Sequence, residues 1–147
     1  MNIDNQKDYW DSVAQQKTFT HPVNLDLLLK FAGKDAAIID YGCGYGRVVS
    51  DLLGLGFTNI AGYDSSVELI HPGANSHLPL HHISAPADLP LNDGRVDCFL
   101  LFAVLTCITS NGGQTNLIKL LHSKPKPGGI IYISNYYLQE NEVSKSR

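Results

Sequence analysis

Apolar runs separated by glycine- and proline-rich turns divide the chain into short alternating segments. Ala36-Ala37-Ile38-Ile39 is apolar up to Asp40. A run without polar alternation is buried on both faces, as central strands of parallel sheets are, so a first strand is predicted over 36–40. From Arg47 to Leu55 the pairs Val48/Leu52 and Val49/Leu53 repeat at four residues, the mark of a helix that Gly54 or Gly56 ends. Phe57 to Tyr63 predicts the second strand. Ser65 and Ser66 can cap a short helix from Val67 to Ile70, which His71-Pro72-Gly73 is expected to break. Leu78 to Ile83 predicts a third strand, and Ser84 to Arg95 is too rich in turn residues to be more than a loop. Val96 to Val104 is the most apolar stretch and predicts the fourth strand. Thr115 to His122 reads as a helix with Leu117, Ile118 and Leu121 inward. Lys124-Pro125-Lys126-Pro127-Gly128-Gly129 reads as a turn feeding a fifth strand, Ile130 to Ser134. Near the start, Asn24 caps a short helix carrying Leu25, Leu27, Leu28, Leu29 and Phe31, stopped by Gly33. Strands alternating with helices imply right-handed crossovers and a parallel sheet.

Chemistry concentrates between the first strand and the helix after it, in Asp40-Tyr41-Gly42-Cys43-Gly44-Tyr45-Gly46. Glycines at 42, 44 and 46 let the backbone approach a ligand where a Cβ would collide or force strained dihedrals. The loop opens a helix at Arg47, so free N–H groups and the helix dipole face an anionic group. Asp40, at the strand tip, is expected to order the loop through backbone N–H bonds. A second acid, Asp64, closes the next apolar run. The dinucleotide-binding fingerprint spaces its last two glycines three apart, and here every second position is glycine. That spacing disfavours a nicotinamide-dependent dehydrogenase.

Strand, glycine loop, helix and second acid in this order resemble the class I S-adenosylmethionine-dependent methyltransferases. The resemblance covers roughly residues 36–134. It implies a Rossmann-like α/β doubly wound sheet of five mainly parallel strands in the order 3-2-1-4-5. It also implies that Gly42, Gly44 and Gly46 take the methionine part of S-adenosylmethionine, that Asp64 accepts two hydrogen bonds from the ribose, and that Ser65 touches the cofactor. Ala87-Asp88-Leu89-Pro90-Leu91 resembles the segment where an acid recognises the adenine amino group: Asp88 is the acceptor and Leu89 the apolar face. Asp97 begins the fourth strand, as an acid commonly does in this family. Phe102 falls at that strand's carboxyl end, where open α/β sheets place ligands, and either borders the sulfonium or packs in the core. Tyr9 and Trp10 lie where related enzymes have a lid over the cofactor, and an aromatic beside a sulfonium gains cation–π energy. The division implied is a lid and helical segment over 1–35 and a cofactor-binding core over 36–147.

Composition narrows the rest. With 147 residues, 44% of them apolar, the chain can bury one core. A net charge of −3 without a Lys/Arg cluster predicts no nucleic-acid footprint. No apolar run approaches membrane-spanning length and no signal-peptide segment opens the chain, so no membrane partner and a cytoplasmic location are expected. Cys43, Cys98 and Cys107 are an odd number without metal-ligand spacing, which suits a reducing compartment. His81 and His82, adjacent in a strand, point to opposite faces and cannot chelate one ion together, so with His77 they predict no metal site. Cys43 reads as packed rather than reactive.

No motif marks a general base. Asn135, Tyr136, Tyr137 and His21 are loose candidates, and the catalytic residues stay unassigned. The family's usual C-terminal helix and antiparallel hairpin have no counterpart before Arg147. Ile130-Ile131-Tyr132-Ile133 would then form an uncovered sheet edge, an invitation to pair, and a second copy or a partner chain is expected to cover it. Two function classes stay open: a methyltransferase acting on a small-molecule acceptor, releasing S-adenosylhomocysteine, and a non-catalytic cofactor-binding module that needs a partner.

Overall fold

A computed structural model describes residue 11 and residues 22–90, 94–108 and 110–135. Its helices are α1 (Leu25–Leu29), α2 (Arg47–Gly54), α3 (Val67–Asn75) and α4 (Asn111–His122). Its strands are β1 (Ile38–Tyr41), β2 (Ile60–Asp64), β3 (Leu80–His82), β4 (Val96–Phe102) and β5 (Pro125–Ser134). They form one sheet in the order β3-β2-β1-β4-β5, every pair parallel, as expected.

Period-two alternation along the central strands feeds two cores. Ile38, Cys98 and Leu100 point to the face covered by Leu28 of α1, Val48, Val49 and Leu52 of α2, and Ile70 of α3. Ile39, Phe99 and Leu101 point to the other face, under Leu117 and Leu121 of α4. Burying each such side chain contributes roughly 1.5–3 kcal/mol, which is why β1 and β4 read as continuous apolar runs.

Three elements differ from expectation. α3 does not break at Pro72 but continues to Asn75. A proline inside a helix costs about 3 kcal/mol. Burial of Leu69 and Ile70 and the Ser66 cap, whose Oγ accepts the Leu69 N–H at 3.2 Å, offset that cost. α4 begins at Asn111, four residues before the expected start. The Ser110 Oγ accepts the Gly113 N–H at 3.0 Å, and Gln114 Nε2 donates to the carbonyls of Leu105 and Ile108, so a glycine pair sits inside a braced first turn.

β5 begins at Pro125, inside the segment read as a turn. Its register against β4 jumps from Val96–Pro125 to Cys98–Ile130, so Lys126 to Gly129 form an irregular excursion. Prolines are admissible there because the strand is at the sheet edge. Ile130, Ile131 and Tyr132 are half-buried, and Ile133 is 42% exposed.

Candidate functional site

The sheet order reverses between β1 and β4, because β1 leads to β2 on one side while β4 lies on the other. Open α/β sheets bind ligands at the carboxyl ends beside such a reversal, and the glycine loop is there. Gly42, Gly44 and Gly46 all have φ between +55° and +86°, the left-handed region. At 42 and 46 the requirement is also internal. A Cβ on Gly42 would lie 2.6 Å from Val104 Cγ2, and one on Gly46 2.8 Å from Leu80 Cδ1. These two glycines therefore also let the loop settle onto the protein's own side chains, a reason beyond ligand approach and strained dihedrals.

Hydrogen bonds to β2 hold the loop. The N–H groups of Gly42 and Cys43 donate to the Tyr63 carbonyl at 2.8 and 3.2 Å. The Gly44 N–H donates to Asp64 Oδ2 at 2.8 Å, and the Ser66 N–H to Asp64 Oδ1 at 2.8 Å. Asp64, not Asp40, is thus the carboxylate that orders the loop. Asp64 sits at the tip of β2, where its two oxygens reach the loop on one side and the turn into α3 on the other. With the Ser65 N–H as a third backbone donor, one of the carboxylate's about four acceptor positions is left for a hydroxyl.

Asp40 lies beneath, 2% exposed, with no hydrogen bond to its carboxyl among the described residues. Burial first, and the Asp64 charge second, push its pKa up to about 8, with Arg47 opposing. Burial likewise raises Asp64, against the lowering effect of its backbone donors at Ser66, Gly44 and Ser65. Cys43 is buried against Gly62, where a Cβ would come 2.7 Å from its sulfur, and burial holds its thiol far above the ordinary range. It is packed and inert. Ser66 is fully buried and donates its hydroxyl to Asp11 Oδ1.

The other expected site residues are more scattered. Ser65 lies beside Asp64, and its N–H supports that carboxylate. Asp88 is exposed in a single 3₁₀ turn, Pro86–Asp88, where its Oδ2 accepts the Ala85 N–H at 3.0 Å. Leu89 is buried in the core beside Tyr63 and Ile83. Phe102 packs edge-on against Tyr132, ring centroids 5.4 Å apart. Tyr9, Trp10, His21, Tyr136 and Tyr137 lie outside the described residues, and Asn135 is exposed just past β5. The His81 ring lies tilted against Tyr63, ring centroids 5.1 Å apart. Among the described residues no group of three His, Cys, Asp or Glu is placed to hold a metal ion.

Sequence reasoning missed Asp11, Gly62 and the packing role of Gly73. A Cβ on Gly73 would meet the Tyr45 carbonyl oxygen at 2.2 Å and Leu80 Cδ1 at 2.4 Å, so α3 lies directly on the loop. A glycine beside a proline signals a helix end. Only the contact shows that it is a close approach.

A family of methyltransferase domains matches residues 16–144 of this sequence, and the chain belongs to that family. Its fold is that of the S-adenosylmethionine-dependent enzymes, and S-adenosylmethionine is the cofactor that goes with the family. A methyltransferase of Methanosarcina mazei is 21% identical, with a TM-score of 0.66 over 79% of this chain and 57% of that one. A Haloferax volcanii structure, a complex between a methyltransferase activator and a methyltransferase, is 20% identical, with a TM-score of 0.70 over 95% and 63%. Phosphoethanolamine N-methyltransferase 1 of Haemonchus contortus, solved with phosphoethanolamine and S-adenosylhomocysteine, is 15% identical, with a TM-score of 0.67 over 93% and 33%. The chain spans 57% and 60% of the length of the Methanosarcina enzyme and of the 4+2 cyclase SpnF. No curated protein sequence matches it.

Proposed function

We propose that this chain binds S-adenosylmethionine and supports methyl transfer to a small-molecule acceptor. The observation that carries the reading is the Asp64 carboxylate, fixed by the Gly44 and Ser66 N–H groups at the switch point of the sheet and left with acceptor capacity for a ribose hydroxyl. The residues present suit the cofactor. The uncapped start of α2, with no side-chain cap at Gly46, presents N–H groups to the methionine carboxylate. Asp64 takes a ribose hydroxyl. Asp88 offers an acceptor to the adenine amino group, and Ser65 lines the turn between them. Asp64 and Asp11 give the site a negative balance suited to a ligand bearing a sulfonium and an ammonium group, while Asp40 keeps its proton beneath them.

The cofactor supplies the electrophile, so the chain's task is mainly to hold the acceptor in line, about 3–3.5 Å from the methyl carbon. Net charge −3 without a basic cluster favours a small acceptor over a nucleic acid. Among the described residues no helix is long and apolar enough to cross a membrane.

The fold alone does not dictate methyl transfer, since SpnF is a cyclase with a TM-score of 0.69 to this chain. Binding is therefore the first test. Calorimetric titration with S-adenosylmethionine and S-adenosylhomocysteine should give micromolar binding. Asp64→Ala should weaken it ten- to a hundredfold, because charge-assisted hydrogen bonds contribute roughly 1.5–3 kcal/mol. Unchanged affinity in a folded Asp64→Ala protein would refute the assignment.

A second reading is a cofactor-binding module that a second copy or a partner chain completes. It is favoured by β5, the edge strand, with Ile133 exposed and its outer edge unpaired by any described strand. The Haloferax methyltransferase, solved in complex with an activator, is a precedent for assembly in the same fold.

A further inference from the structure

We propose that Asp11 is a positioning residue for Asp64, acting through the hydroxyl and backbone N–H of Ser66. The inference rests on the reading of Asp64 as the cofactor's ribose acid.

Ser66 is the hub of this corner. It has no solvent exposure, its N–H holds Asp64 Oδ1 at 2.8 Å, and its Oγ accepts the Leu69 N–H at 3.2 Å while donating to Asp11 Oδ1. A serine hydroxyl has one proton and must choose an acceptor. The Asp11 carboxylate, 55 residues away in sequence, decides that choice. With its hydroxyl held on both sides, Ser66 cannot rotate. The turn Asp64-Ser65-Ser66 is then rigid, and the carboxylate that carries the Gly44 N–H is held in one orientation. α3 begins on the same residue, so the helix packed on the loop through Gly73 shares the anchor.

Asp11 also acts on Asp64 by charge, raising its pKa. Other ionisable groups near Asp64 are Asp40 at the tip of β1, which Arg47 also faces, Cys43 on the loop, and His82 opposite it in the β2–β3 register. All of them are retained in Asp11 variants, so a difference between variants isolates Asp11.

The test uses the full chain and two substitutions. Asp11→Ala removes acceptor and charge; Asp11→Asn keeps an acceptor oxygen for the Ser66 hydroxyl and removes the charge. Calorimetry at pH 7.5 should show Asp11→Ala binding S-adenosylmethionine about three- to tenfold more weakly, the size of one lost hydrogen bond. Asp11→Asn should recover most of the loss. Without any ligand, carbon NMR of the Asp64 carboxyl should show it titrating at lower pH in Asp11→Asn, which loses only the charge, than in Asp11→Ala, where the loosened Ser66 N–H also stops holding the carboxylate down; a merely structural contact would not produce that split. Wild-type affinity in Asp11→Ala, or Asp11→Asn as weak as Asp11→Ala, would overturn the positioning role. The same Asp64 titration in Asp11→Ala and Asp11→Asn would overturn it independently of any ligand. Should the wild type bind neither cofactor form while the Asp64 titration still differs between the two variants, the cofactor reading fails and the Asp11–Ser66–Asp64 linkage stands.

Discussion

Replacing Gly73 by alanine is the sharpest probe of how the candidate site is built. In most helices Gly→Ala stabilises by roughly 0.5–1 kcal/mol, because glycine loses more backbone entropy on folding. Gly54, the last residue of α2, should behave this way, since an added Cβ there meets nothing within 4 Å. At Gly73 the same Cβ would lie 2.2 Å from the Tyr45 carbonyl oxygen, against 3.4–4 Å for ordinary contact, so more than an ångström of room is missing. The obstacle is backbone and cannot rotate away. Leu80, the second obstacle at 2.4 Å, is already packed against the Cβ positions of Gly46 and Gly62. Either α3 lifts off the loop or the loop itself shifts. Overpacking of this kind costs about 1–3 kcal/mol, which outweighs the helical gain. Gly73→Ala should therefore lower stability by about 1–2 kcal/mol while Gly54→Ala raises it by about 0.5. For a chain of this length the Tm should fall by about 3–6 °C in the first and rise slightly in the second. Because the displaced loop carries the Gly44 N–H, S-adenosylmethionine affinity should fall with it. Paired denaturant melts with equal m-values are the assay. If Gly73→Ala were as stable as Gly54→Ala, the claim that α3 and the loop are in forced contact would be wrong.

Further expectations follow from burial and topology. The Asp40 pKa, about 8, lies above the unfolded carboxylate value of 3.8, so the folded state holds that proton more tightly. Its contribution to stability is fully present below about pH 4 and is lost as pH rises through about 8, with a slope of up to about 1.4 kcal/mol per pH unit. Asp40→Asn should flatten that decline, giving a larger advantage over wild type at pH 8 than at pH 5 in urea unfolding; an equal difference at both would contradict it. Gly46→Ala combines a left-handed φ of +86° with a 2.8 Å approach to Leu80, and should cost about 2 kcal/mol or more in the same assay. If β5 pairs with a second copy, Ile133→Lys should shift light scattering from dimer to monomer without lowering the melting temperature of the monomer; a wild-type monomer at high concentration would exclude self-pairing.

The sequence by itself determined the class of fold, the position of the glycine loop and the second acid, and most strand centres. These follow from local physics. β1 and β4 must be buried on both faces because they carry no polar alternation, and a glycine run between a strand and an amphipathic helix has few other uses. Where local signals conflicted with packing, the sequence misled. His71-Pro72-Gly73 and Asn111-Gly112-Gly113 look like helix breakers, yet a buried face and a serine cap carry α3 and α4 through them. Lys124 to Gly129 looks like a turn, yet the sheet edge accepts its prolines. Only the tertiary structure decided which carboxylate orders the loop, because Asp40 and Asp64 are equivalent as residues at strand tips. The parallel pairing of Asp40 with Gly62 sets β2 two residues beyond β1. Asp64 thereby reaches the Gly44 N–H, while Asp40 is left buried below it. The bond from Ser66 to Asp11 is likewise invisible in the sequence, since a hydrogen bond across 55 residues leaves no periodicity to read.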